Sequence, residues 1–195
     1  MQSAIWLINK MADWNITALV GVPGVGKTSL CRSAARTLGF KHVNYGELML
    51  DVAISDNLAS NQDEMFKLDL EVQQSIWKAA AYRVLEMKGS SSKILLDLHG
   101  VDLSDSGYII SLPVEIITPD LIIIVESSYE NIFIRRYRDK FRIRALEYLK
   151  DVKEHMEILR MSMTVCSVIY GSYLTLLDND NFEKCLNELK EVLCG

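Results

Sequence analysis

The 195-residue chain is short of several things that mark other classes of protein. Its acidic residues outnumber its basic ones by 26 to 21, for a formal net charge of -5. A general nucleic-acid binder carries a basic excess, overall or in a dominant patch, so no nucleic-acid partner is expected. The four cysteines, Cys31, Cys166, Cys185 and Cys194, form no C-x-x-C pair and no metal-ligand spacing. That usage suits a reduced, cytoplasmic setting. Every apolar run breaks within a few residues, too soon to span a bilayer, and no membrane partner is expected. Internal repeats and low-complexity tracts are lacking too. The opening stretch MQSAIWLINKMADWN has too short an apolar segment for a signal peptide. It reads either as a short extra helix or as residues ahead of a start at Met11. We therefore expect an N-terminal extension over 1–15 and a single domain over 16–195.

What is present is enough to build that domain. With 49% hydrophobic and 24% charged residues, the chain has the composition of an ordinary globular protein. Five short apolar runs, Ile16–Val20, His42–Asn44, Ile94–Leu98, Leu121–Val125 and Tyr173–Leu177, read as strands. Several lack alternation, as strands covered on both faces do. Helical patterns lie between them: Lys27–Leu38, closed by Gly39; Leu70–Lys88, with Val72, Ile76, Ala80, Val84 and Met87 along one face; Asp151–Tyr170; and Asn181–Leu193. The last has Asp180 as its expected N-cap and Glu183 three residues on. Strand and helix in this rhythm imply an α/β sandwich about a parallel sheet.

The segment GVPGVGKTS, residues 21–29, fits G-x-x-x-x-G-K-[ST] with a strand before it and a helix after it. Gly21, Val22, Pro23, Gly24, Val25, Gly26, Lys27, Thr28 and Ser29 are the candidate phosphate-binding residues. Glycines let successive N–H groups turn inward around a phosphate, and the following helix adds its positive end. Lys27 brings a point charge to the outer phosphates, and Thr28 offers a hydroxyl to Mg²⁺. The strand of KILLDLHG, residues 93–100, ends in Asp97, a second candidate Mg²⁺ ligand. His99 is a weaker candidate for substrate contact, because a lone His at a strand end is commonly just hydrogen-bonded locally.

RRYRDKFRIR, residues 135–144, concentrates Arg135, Arg136, Arg138, Lys140, Arg142 and Arg144 in an acidic protein. A solvated helical face would explain them blandly. A nucleic-acid surface is disfavoured because the rest of the chain is acidic. A short basic lid closing over a triphosphate explains both the density and the choice of arginine. Guanidinium is planar, bidentate and permanently charged, and phosphoryl transfer spreads charge over equatorial oxygens that such groups neutralise.

With these pieces in place the chain resembles the archaeal-type adenylate kinases, P-loop nucleoside monophosphate kinases, from about Ile16 onward. The resemblance also covers VNYGELML at 43–50, DEMFKLD at 63–69, LLDLHG at 95–100, SGYIISLP at 106–113 and PDLIIIVE at 119–126, in family order. It implies an α/β P-loop kinase fold with a five-stranded parallel sheet in the order 2-3-1-4-5. It implies Mg²⁺-dependent transfer from ATP to a monophosphate, AMP first, an acceptor-binding part at about 45–90, a lid at about 135–150, and often a homotrimer. Arg135, Arg138, Arg142 and Arg144, with Asp139, match the family's lid pattern and, with Lys27, are the implied catalytic residues. Asn44, Tyr45 and Gly46 match on the acceptor side, and residues 178–180 fall where the family holds adenine. The departures gather on the acceptor side, where Gln62, Phe66 and Leu103 stand at positions expected to be basic. Lys67 and Arg83 are the nearest candidates to compensate. A P-loop kinase for another nucleotide or small acceptor, or a non-catalytic ATP-binding regulatory protein, are the alternatives.

Overall fold

The computed structural model describes residues 14–89, 93–104, 107–138 and 149–194. Its centre is β1 (Ile16–Val20), five residues that are all buried. On one side β1 pairs in parallel with β3 (Ile94–Asp97), Leu19 opposite Asp97. On the other it pairs with β6 (Leu121–Glu126), Leu19 opposite Ile123. β2 (Lys41–Asn44) and β7 (Tyr173–Asp178) complete a parallel sheet in the order β2-β3-β1-β6-β7. The runs without alternation are thus the strands with both faces covered.

The expected order 2-3-1-4-5 is right for the five strands of this sheet, but two more strands intervene in the chain. β4 (Val101–Ser104) and β5 (Gly107–Ile110) form an antiparallel hairpin, so the last two sheet strands are the sixth and seventh. Strands of four residues carry little periodicity, and this pair is held by tertiary contacts. His155 Nε2 donates to the Val101 carbonyl at 2.9 Å, and the rings of Tyr108 and His155 lie 5.4 Å apart.

Helix α1 (Lys27–Leu38) ends as expected, with Gly39 in the left-handed region and its N–H on the Ala35 carbonyl. α2 (Tyr45–Ser55), α3 (Gln62–Met65) and α4 (Leu70–Lys88) follow, and α4 buries Ile76, Ala80, Ala81 and Val84. α5 (Tyr129–Arg138), α6 (Leu149–Tyr170) and α7 (Phe182–Cys194) complete the chain. α1 packs against α7 and along β1–β3, while α6 lies on β6, β7 and the hairpin. The N-cap of α7 differs from expectation. Asn181, not Asp180, accepts the Lys184 N–H at 3.0 Å; Asp180 is engaged elsewhere.

Residues 1–13 of the expected extension lie outside the described residues, and Trp14 and Asn15 make contacts with the elements that follow. Trp14 donates its indole N–H to the Val192 carbonyl at 3.0 Å and meets Tyr173 edge-on at 5.2 Å. The Asn15 N–H donates to Asp120 at 2.8 Å. Removing residues 1–10 should leave the melting temperature unchanged. Trp14→Ala should lower it by about 3–6 °C, from the loss of one hydrogen bond and one aromatic pair. Calorimetric melting of both variants checks this.

Candidate active site

The glycine loop joins β1 to α1 and is tied to its neighbours by its backbone. The Gly21 N–H donates to the His99 carbonyl at 3.1 Å, joining the loop to the chain leaving β3. Gly24 and Gly26 have φ of 91° and 93°, a region that side chains rarely adopt. Space forbids a side chain there as well. A Cβ on Gly24 would come within 2.9 Å of Arg136 Cγ, and one on Gly26 within 2.6 Å of Asn179 Nδ2. α1 therefore begins with its first N–H groups and its positive end at the loop.

Lys27, on the first turn of α1, is buried with 6% exposure. Its ammonium donates to the Gly21 carbonyl at 2.5 Å and to Val22 at 3.3 Å. Thr28 is half-buried, and Ser29, exposed, stands on the outer side of the turn. Asp97, at the end of β3, is 4% exposed. Burial pushes its carboxyl toward protonation, but His42, the Lys27 charge and a Thr28 hydrogen bond outweigh this and hold it below the ordinary carboxylate value. Lys27, Thr28 and Asp97 are thus neighbours, with an ionised carboxylate beside a hydroxyl. Two hard oxygen donors at a phosphate cradle are what Mg²⁺ takes, so these residues fit that ion.

The arginine run divides. Arg135 and Arg136 are on the last turns of α5, and both are hydrogen-bonded to the glycine loop. Arg135 donates from Nη1 to the Val25 carbonyl at 2.9 Å and from Nη2 to the Asn179 carbonyl at 2.6 Å. Arg136 donates from Nε and Nη2 to the Pro23 carbonyl at 2.9 and 2.7 Å. Arg138 is the last residue of α5. Asp139, Lys140, Arg142 and Arg144 lie outside the described residues.

Sequence reasoning gave no separate role to Arg136 and missed Asn179 as a support of the loop. Asn179 is 1% exposed and donates from Nδ2 to the Val25 carbonyl at 2.7 Å. Asp180, expected to cap α7, instead caps α5. It accepts from the Ser128 N–H and the Ser127 hydroxyl, each at 2.7 Å, and from Asn131 at 3.0 Å. These hydrogen bonds, Ser128 first, hold its carboxyl well below the usual range. Only the run of Asp and Asn after a strand could have hinted at this cluster.

On the acceptor side Asn44 caps α2 by accepting the Glu47 N–H at 3.2 Å. Tyr45 is buried and donates to the Trp77 carbonyl at 2.6 Å, tying α2 to α4. Gln62 is half-buried, and Phe66 is 40% exposed. Lys67 is exposed and Arg83 half-buried. His99 is held by Asp102, Nδ1 to Oδ1 at 2.7 Å, which gives it the local partner its position suggested.

A parallel sheet, a glycine loop running into a helix N-terminus, and a buried carboxylate ending the neighbouring strand define a P-loop phosphate-binding protein. Comparison with known proteins agrees. The model of a family described as an AAA domain matches residues 20–153. An adenylate kinase homolog from Methanothermobacter thermautotrophicus is 43% identical over 176 residues, covering 90% of each chain. The adenylate kinase of Methanoculleus marisnigri is 34% identical over 185 residues, covering 90% of this chain and 96% of its own. That of Methanocaldococcus jannaschii is 32% identical over 188 residues, covering 91% and 97%. The chain belongs to the archaeal-type adenylate kinase family of P-loop proteins.

Asn179→Ala removes one of the two side-chain donors to the Val25 carbonyl. It should destabilise the fold by about 1–3 kcal/mol and weaken ATP binding through a looser loop. Urea unfolding and titration calorimetry with ATP measure the two effects.

Proposed function

We propose that the chain transfers the terminal phosphoryl group of ATP, with Mg²⁺, to a nucleoside monophosphate, AMP being the favoured acceptor. The observation that carries this reading is the seating of Arg135 and Arg136 on the carbonyls of the glycine loop. Their guanidinium groups are engaged on the outer carbonyls, but they bring α5, which ends in Arg138, against the cradle where a migrating phosphoryl group needs its charge neutralised. Lys27 stabilises that group, and Thr28 and Asp97 hold the magnesium ion. Arg135 orders the loop, and Arg138, Arg142 and Arg144 supply further guanidinium charge to the migrating group. The bound ion would neutralise charge on the phosphates. A phosphate acceptor is already anionic, so no general base is required.

The family, the relatives' names and the cradle geometry support this reading; the cysteine usage extends it to a reducing cytoplasm, and the family resemblance to a homo-oligomer. A second reading, transfer to a different small acceptor, is favoured by Gln62, Phe66 and Leu103 on the acceptor side. Phe66 and Leu103 are exposed and offer no charge to an acceptor phosphate. Each missing charge-assisted hydrogen bond forgoes about 1.5–3 kcal/mol.

The test is a coupled assay with ATP and each of AMP, CMP, GMP and UMP, on the parent chain and Lys27→Met. AMP should be the best acceptor, and Lys27→Met should lower kcat by at least about 10²–10³ with its circular dichroism unchanged. Turnover of Lys27→Met within tenfold of the parent would sink the assigned role, and turnover with none of the four would sink the monophosphate reading.

A further inference from the structure

Asp97 has neighbours that the phosphate chemistry does not use. A sulfur of Cys31 on α1, a ring nitrogen of His42 on β2 and a carboxylate oxygen of Asp97 on β3 all lie within 4.8 Å of one another. Cys31 is fully buried and Asp97 nearly so. His42 Nε2 and Asp97 Oδ2 are buried atoms without a hydrogen-bond partner. Orphaned polar atoms in such a place are costly unless a ligand completes them.

Their spacing narrows the choice of ligand. His42 Nε2 stands 3.6 Å from Asp97 Oδ2, too far for a hydrogen bond. Two ligands of a tetrahedral zinc ion, with bonds of about 2.0–2.2 Å, are separated by about 3.4 Å. The pair is therefore spaced as two ligands around an ion rather than as donor and acceptor. A thiolate, an imidazole and a carboxylate form a mixed S, N, O set, which suits borderline-soft transition ions and not magnesium, whose preference is for oxygen.

We propose that Cys31, His42 and Asp97 form a binding site for a divalent transition ion of the zinc class, with water completing the tetrahedron. On binding, the Cys31 thiol gives its proton to solvent and the sulfur forms the metal bond. Thiolate and carboxylate together balance the charge of the ion. Metal coordination is what makes a thiolate stable at such a site. Because Asp97 is common to both sites, an ion held here draws its carboxylate away from magnesium. That consequence rests on the phosphoryl-transfer reading, but the binding site does not.

Cobalt(II), which takes zinc sites and absorbs visibly when tetrahedral, is the probe. The full chain is titrated with cobalt in the absence of nucleotide. The expected result is a thiolate-to-cobalt charge-transfer band in the near ultraviolet and intense visible bands, saturating at one ion per chain and removed by added zinc. Cys31→Ser should abolish the charge-transfer band. His42→Gln should weaken cobalt binding at least about tenfold, since a lost ligand costs no less than a lost outer-shell partner. Cys194→Ser, at the exposed cysteine, should leave the spectrum as it is. A missing band, a band that survives Cys31→Ser, or one that disappears with Cys194→Ser would overturn the proposal. Should Cys31→Ser fail to fold by circular dichroism, unchanged cobalt affinity in His42→Gln would overturn it alone. None of these outcomes touches the kinase reading, because no nucleotide is present.

Discussion

A loop that turns its N–H groups toward a phosphate must turn carbonyls the other way, and buried carbonyls need donors. In this chain the requirement falls on Pro23 and Val25. Arg136 meets the first with two hydrogen bonds, and Arg135 and Asn179 together meet the second. The donors are themselves held in place. Asp180 caps the helix that carries both arginines, and the Asn179 N–H is bonded to the Glu126 carbonyl at the end of β6. A backbone turn near residue 24 thus dictates what stands at positions 135, 136 and 179, more than 100 residues away. The cradle is the inner surface of a larger assembly whose outer layer comes from α5 and the turn after β7.

That division explains what could be read in advance. The glycines, lysine and threonine of the cradle are contiguous, and their spacing alone declares them. β1 and β6 are recognisable because five or six apolar residues in a row have no other economical use in a small α/β domain. The outer layer leaves no such trace. Six basic residues in ten look alike in a sequence, and only the folded chain shows Arg135 and Arg136 bonded to the carbonyls of the glycine loop. Asn179 has no local pattern that marks it as a support, because its partner is at the other end of the chain. The Asp180 cap was misassigned for a related reason. Asp and Asn cap equally well, and of three adjacent candidates the choice fell to tertiary competition from Ser127, Ser128 and Asn131. The β4–β5 hairpin was missed because its strands are too short to show a period and depend on His155 for support.

Asp97 shows how one side chain can be drawn in several directions. Burial alone would favour its neutral form, yet the Lys27 charge, the Thr28 hydroxyl and the His42 ring lie beside it, and the charged form prevails. The result is an anionic centre inside the protein, on the strand between β1 and β2 in the sheet. Similar logic governs the His99–Asp102 pair two residues further on, where His99 is the main offset to the burial of Asp102. The end of β3 is therefore a concentration of ionisable groups in an otherwise aliphatic sheet, and such concentrations tend to be functional.

The order of the strands also sets a timetable. β1 precedes both of its neighbours in the chain, its partners in β3 and β6 lying roughly 80 and 100 residues further along. Until those are made the nascent chain holds an aliphatic strand with two unsatisfied edges. Helices can form locally in that interval, but β1 is not paired on both edges until β6 has been made. Non-local pairing of this kind slows folding and exposes strand edges to other chains. Placing the phosphate loop beside the central strand gives it a buried seat, and ties its completion to strands and side chains synthesised long after it.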